Sequence, residues 1–299
     1  DSIAGMLYPG YYLPENRGKR IVQLLEPKND WDLNAASEMI TDVISSVDPQ
    51  IVTNLSKYLD VSLLSENGLK AIDSLKMWTG DYELSSVEAT IYNRWVYYFL
   101  ENTFEDELDT ELFDQLLSTH FTKRLIAPLS KDEESVWLDD VNTADVKETM
   151  ADIVNTSFME AVVSLEKDFG NNMDYWRWER VHSIEHPHPI GQIAALRSFF
   201  NVGPFPVNGT REVINNLAFS YDETGFYKTT SGPSTRRLID FSDVENSISI
   251  LPTGQSGNPF SKHYRDQAEM FVNGEFRKMM MNKAEIQKSK EILTFKPKD

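Results

Sequence analysis

The sequence predicts an α+β protein with a helical first half and a mixed strand-and-helix second half. Up to Gly170, apolar residues recur at spacings of three and four, the period of a helix with one buried face. After Gly170 the apolar runs become short and alternating and are punctuated by glycine and proline, as strands and turns require. Apolar types make up 40% of the 299 residues, enough for a sizeable core. The change of texture divides the chain into a mainly helical part, 1–170, and a mixed part, 171–299, that contributes strands.

The elements follow in order. Tyr12-Leu13-Pro14-Glu15 leads into a helix over Asn16–Leu25, with Ile21, Leu24 and Leu25 on one face and Pro27 as its stop. Asp30 can cap a second helix, whose stripe is Leu33, Ala36, Met39, Ile40, Val43 and Ile44. Pro49 opens a third segment with Ile51, Val52, Leu55 and Leu59. Val87–Leu100 and Val146–Leu165 are the longest helical candidates, and Gly170 ends the second of them. The aromatics around Trp95–Phe99 have core spacing, with a substrate-facing role as the alternative. Beyond Gly170, Trp176, Trp178 and Val181 alternate like a strand. Arg211–Tyr221, Arg237–Phe241 and Ser247–Leu251 read as further strands, then Ser261–Asn273 and Lys283–Ile292 as helices. No repeat and no low-complexity stretch interrupts this map.

Charge and composition narrow the functions. With 29 basic and 47 acidic residues the formal net charge is −18, a field that repels nucleic acid and anionic membrane surfaces. The absence of cysteine excludes disulfides, thiolate metal sites and cysteine nucleophiles. No apolar run approaches the ~20 residues of a membrane-spanning helix. No signal peptide opens the chain, and Asp1 is not an initiator methionine. The expectation is a processed or truncated piece of a longer product.

The densest motifs lie in the second half. They are Trp178, His182 and His186-Pro187-His188-Pro189; Gly203-Pro204-Phe205-Pro206; and Gly232-Pro233-Ser234-Thr235-Arg236. Then come Leu251-Pro252-Thr253-Gly254-Gln255-Ser256-Gly257, His263-Tyr264-Arg265-Asp266-Gln267 and Gly274-Glu275-Phe276. Near the start stands Pro14-x-x-Arg17-x-x-Arg20-Ile21. Together, in this order, they resemble the C-terminal part of the catalytic β chain of penicillin acylases (penicillin amidases). Trp178-Glu179-Arg180 departs from the pattern, since many relatives have glycine after the tryptophan. The resemblance is dense at Trp178–Gly274 and thin between about Ser46 and Gly170.

The resemblance implies a C-terminal fragment of the four-layer αββα sandwich of N-terminal-nucleophile hydrolases. Such a precursor cuts itself, and the serine freed at the start of the β chain attacks an amide. The serine's own α-amino group, which titrates near pH ~8, acts as base through a water. An asparagine and backbone amides stabilise the oxyanion, and an acid and an amine leave. In the family both the serine and the asparagine precede the segment matched by Tyr8–Ile21, so no catalytic residue is expected in this chain. Ser2 falls in the linker after the asparagine. Arg17 matches an arginine that helps hold that asparagine, its planar fork of donors suited to the task; the structural alternative is pairing with Glu15 or solvent. No cofactor or metal is expected in this chain, although the resemblance allows a structural calcium in the intact enzyme. The implied partners are the N-terminal remainder of the precursor (the α chain and the start of the β chain) and a small N-acyl substrate. That substrate is a β-lactam, an acyl-homoserine lactone or another N-acyl compound. The implied location is periplasmic or secreted, with the cytoplasm left open. A piece of such a sandwich should also expose an apolar face where the rest belongs.

Other readings stand beside this one. The chain can be a non-catalytic binding or assembly domain on the same scaffold. His263, Asp266 and Gln267 share a helical face near Ser256, which allows a serine-histidine-aspartate triad; the structural alternative is that the glycine-rich turn and the following helix fix each other by hydrogen bonds. His182, His186 and His188 have metal-like spacing, but the prolines at 187 and 189 break any helix that would aim their rings together. Asn208-Gly209-Thr210 matches a glycosylation acceptor, too short a motif to weigh.

Overall fold

The structure, a computed structural model, describes residues 2–3, 5–7, 13–289 and 292–297; most of the tyrosine-rich lead-in to the first helix lies outside them. Strands β1 (Ser2–Ile3) and β2 (Met6–Leu7) form a short hairpin. Helix α1 (Asn16–Leu25) has the predicted bounds. Its apolar residues are poorly covered: Val22 and Leu25 are exposed, and Asn16 is its buried residue. Helix α2 (Leu33–Ile40) starts two residues later than the Asp30 cap predicts, because the carboxylate of Asp32 accepts the Ala35 amide. Helix α3 (Asp48–Leu55) carries Pro49 in its first turn, where no amide is needed. Helix α4 (Glu66–Met77), absent from the sequence reading, is capped by Ser65 and interrupted in pattern by Gly68.

Helix α5 (Val87–Ser118) is far longer than predicted and breaks at Asp109, which has φ 56. A non-glycine residue there is strained. The Asp109 carboxylate offsets this by accepting the Leu112 amide at 3.0 Å, so it caps the helix that resumes. Helix α6 (Phe121–Leu129) follows. Helix α7 (Met150–Phe169) opens on a capping box between Thr149 and Asp152 and stops at Gly170, φ 82. α5 and α7 pack through Trp95 and Phe158, whose rings lie edge to face 4.8 Å apart, and the Trp95 indole donates to Ser157. Trp95 and Phe99 are fully buried, which places them in the core.

The second half holds two small sheets. One joins β3 (His182–His186) to β4 (Val202–Pro206) antiparallel and to β5 (Tyr227–Lys228) parallel. The other runs antiparallel through β6 (Arg236–Leu238), β7 (Ile248–Ile250) and β8 (Arg277–Lys278). Short helices α8 (Arg197–Phe200), α9 (Ala268–Val272) and α10 (Lys283–Ile286) complete the set. The class is therefore the expected one, helices first and mixed α+β second. Trp176, Trp178, Val213, Phe219 and Tyr227 nevertheless join the same apolar cluster as the helices, so the core runs across Gly170.

Several local expectations are corrected. Trp176 to Val181 forms tight 3-10 turns, not a strand; the alternation reflects two tryptophans turned inward, their indoles donating to Gly170 and Gly209 carbonyls. Arg211–Tyr221 alternates between buried and half-buried as a strand does, yet among the described residues it pairs through isolated bridges such as Thr210 with Asn216 and Ala218 with Ser231. The helix expected over Ser261–Asn273 shrinks to α9, because the Gln267 amide goes to the Thr253 carbonyl and holds the preceding residues in turns. The last helix ends at Ile286. Exposed apolar side chains remain in this half, among them Ile193, Phe241 and Phe260.

His182 shows what burial costs here. It is fully buried against Trp178 and Phe219, and its Nδ1–H donates to the Tyr227 carbonyl at 2.7 Å. Burial pushes its pKa from 6.5 to about 4. A depressed histidine is neutral in the folded chain while the unfolded chain still takes up a proton, so stability falls as pH drops from 6.5 towards 4. The loss expected over that window is roughly 3 kcal/mol. Urea unfolding from pH 7 to 4.5 should show the decline, and His182→Gln should flatten it; an equal slope in the variant would place the titrating group elsewhere.

Candidate functional site

Arg17 sits in the first turn of α1, exposed, and makes no hydrogen bond or ion pair among the described residues. The alternative partner, Glu15, is taken by Lys19 at 2.7 Å. Beside this turn lies an open groove of about 830 Å³ between α1, α3 and α6, lined in part by Pro14, Asn16, Lys19, Gln50 and Lys123. Arg17 is thus an exposed guanidinium, without a partner among the described residues, on a helix with little apolar anchorage.

Polar contacts seat that helix. Arg20, one turn after Arg17, grips the Asp42 carboxylate with two bonds, Nε to Oδ1 at 3.0 Å and Nη2 to Oδ2 at 2.6 Å. Both side chains are mostly buried, at 18% and 12% exposure, so solvent screens the pair weakly. A charge-assisted fork of this kind contributes about 1.5–3 kcal/mol. Gln23 adds a bond from Ser46 at 2.8 Å. Asp42 is itself fixed: Oδ1 also accepts the Ile44 amide at 3.1 Å, and its carbonyl accepts the Asn215 amide at 2.9 Å. Local sequence carries no sign of this pair, because its members lie 22 residues apart.

Asn215 leads into the glycine-rich motifs. Its side-chain oxygen accepts from Arg236 Nη2 at 2.8 Å, and Arg236 Nη1 donates to the Phe271 carbonyl at 2.7 Å. The guanidinium lies 4.0 Å from the Phe271 ring, and burial pushes its pKa down to about 10, still charged at neutral pH. Gln267 accepts the Leu251 amide at 3.1 Å, and the Ser256 amide donates to the His263 carbonyl at 3.0 Å. Gly254 passes so close to this carbonyl that an added Cβ would meet it at 2.1 Å. The motifs Gly232–Arg236, Leu251–Gly257 and His263–Gln267 are therefore one bonded unit.

The triad is not assembled. His263 Nδ1 bonds Asp266 at 2.7 Å, and both line an open groove of about 630 Å³ with Ser256. The Ser256 hydroxyl, however, accepts the Asn258 amide at 3.1 Å and makes no bond to the imidazole. The glycine-rich turn and the segment leading into α9 are locked to each other by main-chain and Gln267 contacts instead.

The other candidates also have local duties. His188 accepts the Ile190 amide and stacks on Phe200, while His186 is half-buried. Asn208 is half-buried and accepts the Leu84 amide at 2.8 Å, and Thr210 is buried. Ser2 lies in β1. Among the described residues no group of three or more His, Asp or Glu side chains is placed to hold a metal ion. No helix among them is long and apolar enough to cross a membrane.

Comparison with known proteins agrees with the motifs. The family model described as Penicillin amidase matches residues 3–288. The acyl-homoserine lactone acylase QuiP of Pseudomonas aeruginosa is 24% identical over 295 residues, covering 89% of this chain and 34% of that protein. The same-named protein of Pseudomonas syringae pv. syringae is 26% identical over 238 residues, covering 76% of this chain and 28% of its own length. A solved thermostable penicillin G acylase from Alcaligenes faecalis aligns with TM-score 0.53 at 14% identity, over 97% of this chain and 54% of that one. The chain thus spans about a third of the length of these curated relatives, and the solved structure shows its fold.

The bonded motifs make a measurable distinction. Gly254→Ala forces a Cβ into the His263 carbonyl and should cost roughly 1–3 kcal/mol. Ser256→Ala removes one exposed bond and should stay within about 0.5 kcal/mol. Urea midpoints of the two variants decide it; a larger loss for Ser256→Ala would show that the hydroxyl, not the tight turn, matters.

Proposed function

The chain belongs to the penicillin amidase family, and from that premise we propose that it forms the C-terminal part of an amide hydrolase that removes N-acyl groups from amines. The observation that carries this reading is the family match across residues 3–288. The relatives named acyl-homoserine lactone acylases make N-acyl-homoserine lactones the first substrates to assay, with penicillin-type amides second. A periplasmic or secreted location belongs to the same proposal.

In this reading the nucleophile is an N-terminal serine supplied by the precursor outside this chain. Its hydroxyl oxygen attacks the acyl carbon, and its proton passes to the serine's own α-amine. The tetrahedral intermediate collapses, the C–N bond breaks, and the amine leaves with that proton. Water then hydrolyses the acyl ester by the same relay and frees the acid. This chain contributes scaffold and Arg17, whose guanidinium would hold the oxyanion asparagine from behind. Support for that role is its exposed fork at the first turn of α1, without a partner among the described residues. The precursor remainder is the partner that would fill the contacts left open there.

Two outcomes follow. The purified chain alone should hydrolyse a fatty-acyl or phenylacetyl anilide no faster than background, since loss of such a nucleophile costs ~10⁶ in turnover. Turnover that disappears in Ser256→Ala would overturn the reading in favour of a local serine site. In the enzyme assembled with the rest of its precursor, Arg17→Ala should lower kcat by ~10²–10³, as loss of an oxyanion donor does, while stability changes by no more than about 0.5 kcal/mol. An unchanged kcat would return Arg17 to solvent duty.

A further inference from the structure

We propose that Asp42 is a positioning residue for Arg17, acting through Arg20 and the seat of α1; the inference rests on the role of Arg17 proposed above. The reason is mechanical. A helix is ordinarily held on a protein by its apolar stripe. None of the apolar residues of α1 belongs to a buried core cluster, and Val22 and Leu25 are 48% and 43% exposed. The Glu15–Lys19 pair lies within the helix region and ties it to nothing else. Among the described residues its side-chain ties to the body are the two-bond Arg20–Asp42 fork and the Gln23–Ser46 bond.

Asp42 is the fixed end of that tie. Its carboxylate is oriented by the Ile44 amide and its carbonyl by the Asn215 amide, and Asn215 is in turn held by the buried Arg236. The next residues are anchored as well: the Val43 carbonyl accepts the Tyr82 amide, and Ile44 bridges to Asp81. Arg17 and Arg20 are three residues apart and so project from neighbouring positions on one side of the helix. Side chains reach ~5–6 Å from a helix axis, so a rotation of ~10° about that axis moves the Arg17 end by ~1 Å. Misplacement of ~1 Å is worth up to ~10² in rate. The fork sets the helix rotation, and with it the place where the Arg17 guanidinium meets the asparagine.

The test uses Asp42→Asn, which keeps the size and one acceptor but removes the charge and the second fork bond. In this chain, hydrogen exchange of the α1 amides from Arg20 to Leu25 should quicken about tenfold, the effect of losing one charge-assisted bond, with the α7 amides unchanged. In the enzyme assembled with its precursor remainder, kcat should fall by ~10-fold or more while KM moves less than about twofold. The double variant Arg17→Ala/Asp42→Asn should be no slower than Arg17→Ala alone, because the tie acts through Arg17. Unchanged exchange in α1 overturns the proposal whatever the kinetics show. Faster exchange with rate losses that multiply also overturns it, since Asp42 would then act independently of Arg17. An assembled wild-type enzyme without acylase turnover defeats the functional reading and this role with it; the exchange arm tells that failure from a failure of the tie.

Discussion

The fork between Arg20 and Asp42 is the contact on which the placement of α1 depends. It joins a helix with little apolar anchorage to a segment bonded on several sides. From Asp42 the path runs through Asn215 to the buried guanidinium of Arg236, and from there to the Phe271 carbonyl. Both terminal nitrogens of this buried guanidinium have acceptors, Nη2 on Asn215 and Nη1 on Phe271, so each link in this path constrains the next. The family-like motif at the start of the chain and those near its end are thereby parts of one polar framework.

That framework explains why the most recognisable sequence motifs are not where the chemistry is proposed. Gly254 is required by the near approach of a carbonyl, Gln267 bonds the Leu251 amide, and Arg236 bridges two elements. The His263–Asp266 pair looks like a catalytic dyad only until the Ser256 hydroxyl is located on the Asn258 amide. Such a framework can keep α1, and Arg17 on it, in a fixed place.

What could be read from the sequence was whatever has a local period or a local breaker. The bounds of α1 followed from Pro27 and its stripe, and the end of α7 from Gly170. The cap of α2 was misplaced by two residues because Asp30 and Asp32 both offer a carboxylate, and only backbone geometry chooses between them. α5 outran its prediction because a single aspartate restarts the helix. The strands were harder: alternation in Trp176–Val181 came from tight turns, and in Arg211–Tyr221 from an extended segment without a ladder. Arg17 was found through resemblance. Asp42 could not have been found, since nothing near it in sequence announces an arginine 22 residues away.

The proposed role of Arg17 turns on what meets its guanidinium once the proposed precursor remainder is in place. An experimental structure of this chain assembled with that remainder measures it directly. The result the account requires is the Arg17 guanidinium within about 2.7–3.2 Å of an asparagine side-chain oxygen from outside this chain, with that asparagine facing the N-terminal serine. An Arg17 side chain turned to solvent, with the asparagine held by other donors, would contradict it.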